Sequence, residues 1–245
     1  MNFTEKIAVV TGAGQGLGRN IAAALAARGA KVVILGRTLA KLEAAARDIG
    51  GEILSLEADV SDPAAVALAF QTIEDAWGRI DILVNNAGLI DLFRVSDSDA
   101  ATIVDQIGAN LVGPILCSRS AIPLLKASGG GTIVNISTMC VTRVFPRLAV
   151  YTASKAGLEN FSDGLRAELK PDNIHVAVLR LGTMVSESPR DYDISQARAF
   201  MAECAAVGID AYVRPPMDMS TVAESLLSIL STPANARINL LDLVN

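Results

Sequence analysis

Short runs of apolar, β-branched residues alternate along this chain with longer stretches of helix formers. Residues 7–10 are continuously apolar, as in a strand covered on both faces, and residues 17–28 follow as an alanine-rich helix closed by Gly29. Residues 31–35 form a second β-branched run, and a helix between two strands implies a right-handed parallel crossover. The alternation goes on: a helix over 39–49, a strand over 53–56, and a helix from Asp62 as N-cap and Pro63 to Trp77, stopped by Gly78. Residues 80–84 read as a fourth strand, 102–126 as a long apolar helical stretch interrupted by Pro114, and 132–136 as a fifth strand. A further helix begins near Val150, and 174–179 is a sixth strand. This pattern predicts one doubly wound α/β domain over residues 1–245, a parallel sheet with helices on both faces.

The first strand runs into Gly12, Ala13, Gly14, Gln15, Gly16, Leu17 and Gly18, four glycines in seven residues ahead of a helix. Glycine allows positive φ and close backbone approach, and a helix N-terminus aims amides at its ligand, so the turn suits phosphate. About 20 residues later, a dinucleotide site presents the group that selects the adenosine ribose. An acid there would accept a hydrogen bond from the ribose 2′-hydroxyl; this chain has Gly36, Arg37 and Thr38. Arg37 offers a planar cationic fork for a 2′-phosphate and Thr38 a hydroxyl, which favours NADP(H) over NAD(H). The plainer reading of Arg37 is a solvated arginine at a helix start. Asn85, Asn86, Ala87 and Gly88 end the fourth strand at the edge where open α/β sheets bind ligands, although they also suit a turn whose asparagines cap backbone groups.

Composition narrows the classes. With 245 residues, 51% hydrophobic and 19% charged, the chain can bury a substantial core, and a net charge of -5 gives no basic field for nucleic acid. Cys117, Cys140 and Cys204 have no metal-type spacing and suit free thiols. No stretch approaches ~18 uncharged apolar residues, so neither a signal peptide nor a membrane span is expected, and a cytoplasmic location is.

The helix that begins near Val150 holds Tyr151 in its opening and carries Lys155 one turn on, which puts phenol and ammonium on one face. At ~4 Å and an effective dielectric near 20, the charge contributes about 4 kcal/mol in favour of phenolate as an upper bound. That moves a phenol towards the neutral range where a general acid or base works best. The spacing is common in helices without chemistry, and Asn110 likewise has a bland reading as a helix-surface residue.

In order and spacing, the glycine turn, Asp59-Val60, Asn85-Asn86-Ala87-Gly88, Asn110, Asn135-Ile136-Ser137-Thr138 and Tyr151-x-x-x-Lys155 together resemble the short-chain dehydrogenase/reductase family, over essentially the whole chain. The resemblance implies a single-domain Rossmann-type fold. It implies that the glycine turn holds pyrophosphate, that Asp59 and Val60 meet adenine, and that Asn86, Ala87 and Gly88 line the adenosine side. Tyr151 would be the proton donor to a carbonyl during hydride delivery, Lys155 would lower its pKa and hold the nicotinamide ribose, and Asn110, in a locally distorted helix, would keep a relay water. Gly182, Met184 and Ser186 would flank the nicotinamide. Residues 186–216, with Tyr192, Phe200, Met201, Cys204 and Tyr212, would form a substrate lid. The family also implies a homodimer or homotetramer built through the helices of Asn110 and Tyr151.

Three departures from the family pattern bear on function. The usual serine thirteen residues before the tyrosine is Thr138; Ser137 is adjacent, but alternation at a strand end lets only one hydroxyl face the site, and Thr138 is the expected one. Leu181 replaces the proline before Gly182, removing a stiffener near the nicotinamide. The tail, Arg237 to Leu243, lacks the Asp-Gly-Gly of many 3-oxoacyl-carrier-protein reductases and looks more like that of family members acting on small hydroxy acids and diverse alcohols. The expected reaction is reduction of a ketone or aldehyde, or the reverse alcohol oxidation, on a small to medium apolar substrate, with the acyl-carrier role and a catalytically weak cofactor-binding regulator as alternatives. His175 is expected in the core. Arg143 and Arg147 could receive a carboxylate or phosphate, against a plainer reading as solvated arginines.

Overall fold

The computed structural model describes residues 2–184, 194–211 and 215–244. Strand β1 (Ile7–Thr11) leads to α1 (Gly16–Ala26), β2 (Lys31–Gly36), α2 (Leu39–Ile49), β3 (Ile53–Glu57), α3 (Pro63–Trp77) and β4 (Ile82–Asn85). Next come α4 (Ala100–Ile107), α5 (Gly113–Ala127), β5 (Gly131–Thr138), α6 (Ala149–Leu169) and β6 (Ile174–Leu181). The described chain closes with α7 (Ile194–Ala206), α8 (Met219–Ser231) and β7 (Leu240–Leu243).

The strands form one parallel sheet in the order β3-β2-β1-β4-β5-β6-β7, the doubly wound arrangement expected from the alternation. Strand order reverses between β1 and β4, and the crevice above their carboxyl ends is where such sheets take ligands. Side chains alternate across the sheet. Ala8, Val10 and Val84 pack with Ile21 and Leu25 of α1 and Leu226 of α8, whereas Val9, Leu83 and Ile133 pack with Ile73 of α3 and Leu124 of α5. Both faces are therefore dry, which is why these strands read as unbroken apolar runs.

Local chemistry sets most boundaries. Asp62 caps α3 by accepting from the Ala64 N–H at 2.8 Å, and Gly78 ends it in the left-handed region at φ 67°. β4 begins two residues after its apolar run does, because the Asp81 carboxylate takes the Ile7 N–H at 3.0 Å and Lys6 Nζ at 2.7 Å. The long helical stretch is interrupted ahead of Pro114, by a π-helical turn over Gly108–Val112. Helix geometry then resumes through Pro114 in the first turn of α5. Proline has no N–H to give the carbonyl four residues back, which here belongs to Asn110, so the ladder loosens at that residue. β6 runs two residues further than expected, to Leu181, which pairs with Thr138 and Leu243. Leucine keeps the amide proton that the family's proline lacks. His175 is buried, with Nε2 3.0 Å from the Ile238 carbonyl, and burial lowers its pKa.

Candidate active site

A cleft of about 390 Å3 lies over the carboxyl ends of β1, β2 and β4. Its floor is the glycine turn. A Cβ on Gly18 would stand 2.5 Å from the Gly12 carbonyl oxygen and 2.6 Å from Asn86 Nδ2, so only glycine allows α1 to start this close to β4. Gly16 has φ 57° and nothing within 4 Å of its would-be Cβ, so the turn is open on the cleft side. Gln15, at the N-cap of α1, supplies no capping side chain. A crowded inner side and an open outer side at a helix N-terminus fit the pyrophosphate of a dinucleotide.

The asparagine segment braces this floor. Asn86 Nδ2 donates to the Thr11 carbonyl at 2.9 Å, and Thr11 Oγ1 accepts from the N–H groups of Asn86 and Ala87 at 3.0 and 2.9 Å. Asn86 thus caps backbone groups and shapes the cleft at once. Beneath it, buried Asn85 Nδ2 donates to Asn135 Oδ1 at 2.8 Å, and Asn135 Nδ2 donates to Ser162 Oγ at 2.8 Å, joining β4, β5 and α6.

Arg37 is exposed at the rim, with no ion pair among the described residues, and Thr38 sits at the N-cap of α2 without capping it. Lys41, which the sequence reading passed over, also lines the cleft, with Nζ 3.1 Å from Gln15 Oε1. Its signal was its place one turn after Arg37. Asp59 and Val60 form the next wall, Asp59 accepting from Ser61 N–H and Oγ at 2.9 and 2.7 Å. Gly14, Leu17, Ala87 and Met184 also line the cleft. Gly182 follows β6, its N–H on the Leu243 carbonyl at 2.7 Å, while Ser186, Tyr192 and Tyr212 lie outside the described residues.

The structure brings Gly88, Asn110 and Lys155 together: a Cβ on Gly88 would be 2.8 Å from Asn110 Oδ1 and 3.6 Å from Lys155 Nζ. Asn110 is fully buried in the π turn, with Oδ1 accepting from the Leu89 N–H at 2.8 Å and Nδ2 donating to the Leu89 carbonyl at 2.7 Å. One turn earlier, buried Gln106, also missed from sequence, accepts from the Asp91 N–H at 2.7 Å. The two amides hold residues 89–91 in place like a neighbouring strand. Lys155 donates from Nζ to the Ile136 carbonyl at 2.8 Å, and burial draws its pKa down to about 8. Tyr151, half-buried, lies one turn ahead on α6.

At the end of β5 the two hydroxyls part. Ser137 Oγ donates to Glu159 Oε1 at 2.6 Å, while Thr138, on the opposite face, accepts from the Cys140 N–H at 3.3 Å. Glu159 is itself held by Arg180, whose Nη2 donates at 2.7 Å and whose Nη1 reaches Asp242 at 3.1 Å. Those carboxylates hold the Arg180 pKa above its ordinary value. Arg143 is exposed, whereas Arg147 already has a carboxylate, that of Glu203 on α7, at 2.9 Å.

Comparison with known proteins agrees with this geometry. A family model described as short chain dehydrogenase matches residues 6–196. A 3beta-hydroxysteroid dehydrogenase of Mediterraneibacter gnavus is 35% identical, over 85% of this chain and 76% of the relative. A 3-oxoacyl-[acyl-carrier-protein] reductase of Bos taurus is 33% identical, over 76% of this chain and 79% of the relative. Among solved structures, a metagenomic short-chain oxidoreductase in complex with NADP superposes with a TM-score of 0.82 at 27% identity, covering 99% of this chain and 98% of that one. The chain belongs to the short-chain dehydrogenase/reductase family of oxidoreductases, which use a nicotinamide cofactor.

Proposed function

We propose that the protein reduces the carbonyl of a small or medium ketone or aldehyde to an alcohol with NADPH, or runs the reverse oxidation, with Tyr151 as the proton donor and acceptor. The observation that carries this reading is the buried Lys155 ammonium one turn from Tyr151, gathered with Gly88 and Asn110 at the end of the dinucleotide cleft. When bound, the cofactor supplies or takes up the hydride. The chain supplies the rest. The glycine turn and the N-terminus of α1 hold the pyrophosphate, while Arg37, Thr38 and Lys41 gather positive charge and a hydroxyl where a 2′-phosphate would lie. Thr138 donates its hydroxyl to the carbonyl oxygen, polarising it, and Tyr151 passes its proton to the same oxygen as charge develops. Lys155 holds positive charge beside the phenol, and the π turn at Asn110 leaves a carbonyl without a proline N–H for a proton-relay water.

The test is NADPH consumption against a panel of ketones, aldehydes and 3-oxo esters and thioesters, with NADH and Tyr151→Phe beside it. Turnover that favours NADPH and disappears in the variant, while the variant still binds NADPH, supports the reading. Tight NADPH binding without turnover of any panel member would point to a cofactor-binding regulator. A preference confined to thioesters would favour the acyl-carrier role.

A further inference from the structure

The segment that leaves Gly88 is laced to its surroundings at every second N–H. Leu89 donates to Asn110 Oδ1 at 2.8 Å, Asp91 to Gln106 Oε1 at 2.7 Å, and Phe93 to the Arg147 carbonyl at 3.2 Å. Gln106 on α4 and Asn110 in the π turn stand one turn apart, so two side-chain amides meet the segment as a strand edge would. This lacing borders the candidate site. Leu89 and Ile90 line the cleft, as do Asp105 and Ala109, the sequence neighbours of the two amides.

The two amides differ in what they gain. Asn110 has both its groups paired, Nδ2 donating to the Leu89 carbonyl at 2.7 Å. Gln106 is fully buried, yet its Nε2 has no hydrogen-bond partner among the described residues. A buried donor left without an acceptor costs about as much as one neutral hydrogen bond returns, so for folding alone an apolar side chain at 106 would serve as well. What the Gln106 bond adds is a second anchor, two residues beyond the one at Leu89 and at most ~7 Å along the chain, which fixes the direction of the segment as well as its place. Without it, the span from Leu89 to Phe93 hangs on its two ends. We propose that Gln106 is a positioning residue for the nicotinamide half of the cofactor: through Asp91 it holds Leu89 and Ile90 as the cleft wall that continues from Gly88, beside Lys155. The inference rests on the reading that NADPH lies in the cleft with its nicotinamide end at Lys155. The adenosine half is held by the glycine turn and the residues that follow β2, so it gains nothing from Gln106.

The experiment measures by calorimetry the Kd of wild type, Gln106→Met and Gln106→Leu for NADPH and for adenosine 2′,5′-bisphosphate, which carries the adenosine half alone, with urea unfolding of each protein beside it. Both variants are expected to bind NADPH about three- to tenfold more weakly, the range that one neutral hydrogen bond spans, and to bind the bisphosphate within about twofold of wild type. Their urea midpoints are expected to be no lower than that of wild type, because the orphaned donor goes with the amide. Unchanged NADPH affinity in both variants overturns the inference, and so does an equal loss for the two ligands, which marks general loosening; in either case the cofactor reading stands. A wild type that binds neither ligand overturns the cofactor reading and the inference with it.

Discussion

Replacing Lys155 by methionine is expected to stabilise the cofactor-free protein while abolishing turnover. The lysine is 5% exposed, and burial moves its pKa from 10.5 to about 8. A displacement of that size corresponds to roughly 3 kcal/mol against the charged form in the folded state. Methionine of similar length removes that cost, and it also removes the 2.8 Å bond to the Ile136 carbonyl. A charged hydrogen bond contributes about 1.5–3 kcal/mol, so the net gain at pH 7 is about 1 kcal/mol. The sign with pH follows from linkage. Between about 8 and 10.5 the unfolded lysine keeps its proton and the folded one has lost it, so wild-type stability rises across that window. The variant lacks this group, and its advantage at pH 7 must shrink and reverse towards pH 10. Other titrating groups are common to both proteins and drop out of the difference, provided the unfolding comparison carries Tyr151→Phe in both, because the Lys155 charge also shifts the phenol. Urea unfolding of both proteins at several pH values, at equal m, measures it, and NADPH consumption should fall by more than about a hundredfold. A stability difference that stays constant from pH 7 to 10 would refute the reasoning, because the buried charge would then not be what burial costs.

Arg37→Asp should move the ratio of NADPH to NADH affinity by about 10- to 100-fold towards NADH, since a charge-assisted hydrogen bond to the 2′-phosphate is lost and an acceptor for the 2′-hydroxyl gained; fluorescence titration reads it. Gly18→Ala puts a methyl 2.5 Å from the Gly12 carbonyl oxygen, so thermal unfolding should show a loss of about 1–3 kcal/mol and NADPH binding should weaken in parallel. Glu159→Gln keeps an acceptor for Ser137 and removes the carboxylate from Arg180, whose side chain is 13% exposed; a stability loss of about 1–2 kcal/mol in urea, with NADPH affinity retained, is expected, and unchanged stability would show the cluster to be solvated.

The lining of the cleft was legible residue by residue, because glycine turns, strand ends and helix starts are local and their chemistry repeats with fixed spacing. Residues such as Gly16, Arg37 and Asn86 announce themselves by type and place. The rest depended on pairs. Gln106 looks like any polar residue on a helix until Asp91 is brought against it. Glu159 reads as solvated surface two turns past Tyr151, until the register of β5 on β6 sets Ser137 beside Arg180. Arg147 read as a solvated arginine or an anion receptor; the structure gives it an anion from within the chain. The pattern put the helix interruption at Pro114 and the family resemblance put a distortion at Asn110; the π turn lies at Asn110, since a missing N–H is felt by the carbonyl one turn earlier.

By itself the sequence determined the β-α alternation, the doubly wound fold, the glycine turn and the shared helix face of Tyr151 and Lys155. These follow from periodicity, turn chemistry and spacing within a few residues. Tertiary structure alone decided which hydroxyl at the end of β5 is tied to Glu159, how deeply Lys155 is buried, and that Glu203 holds Arg94 and Arg147. Each of these joins residues tens of positions apart, and the energy of a charge or polar group depends on the water it loses and the partner it gains when the sheet assembles.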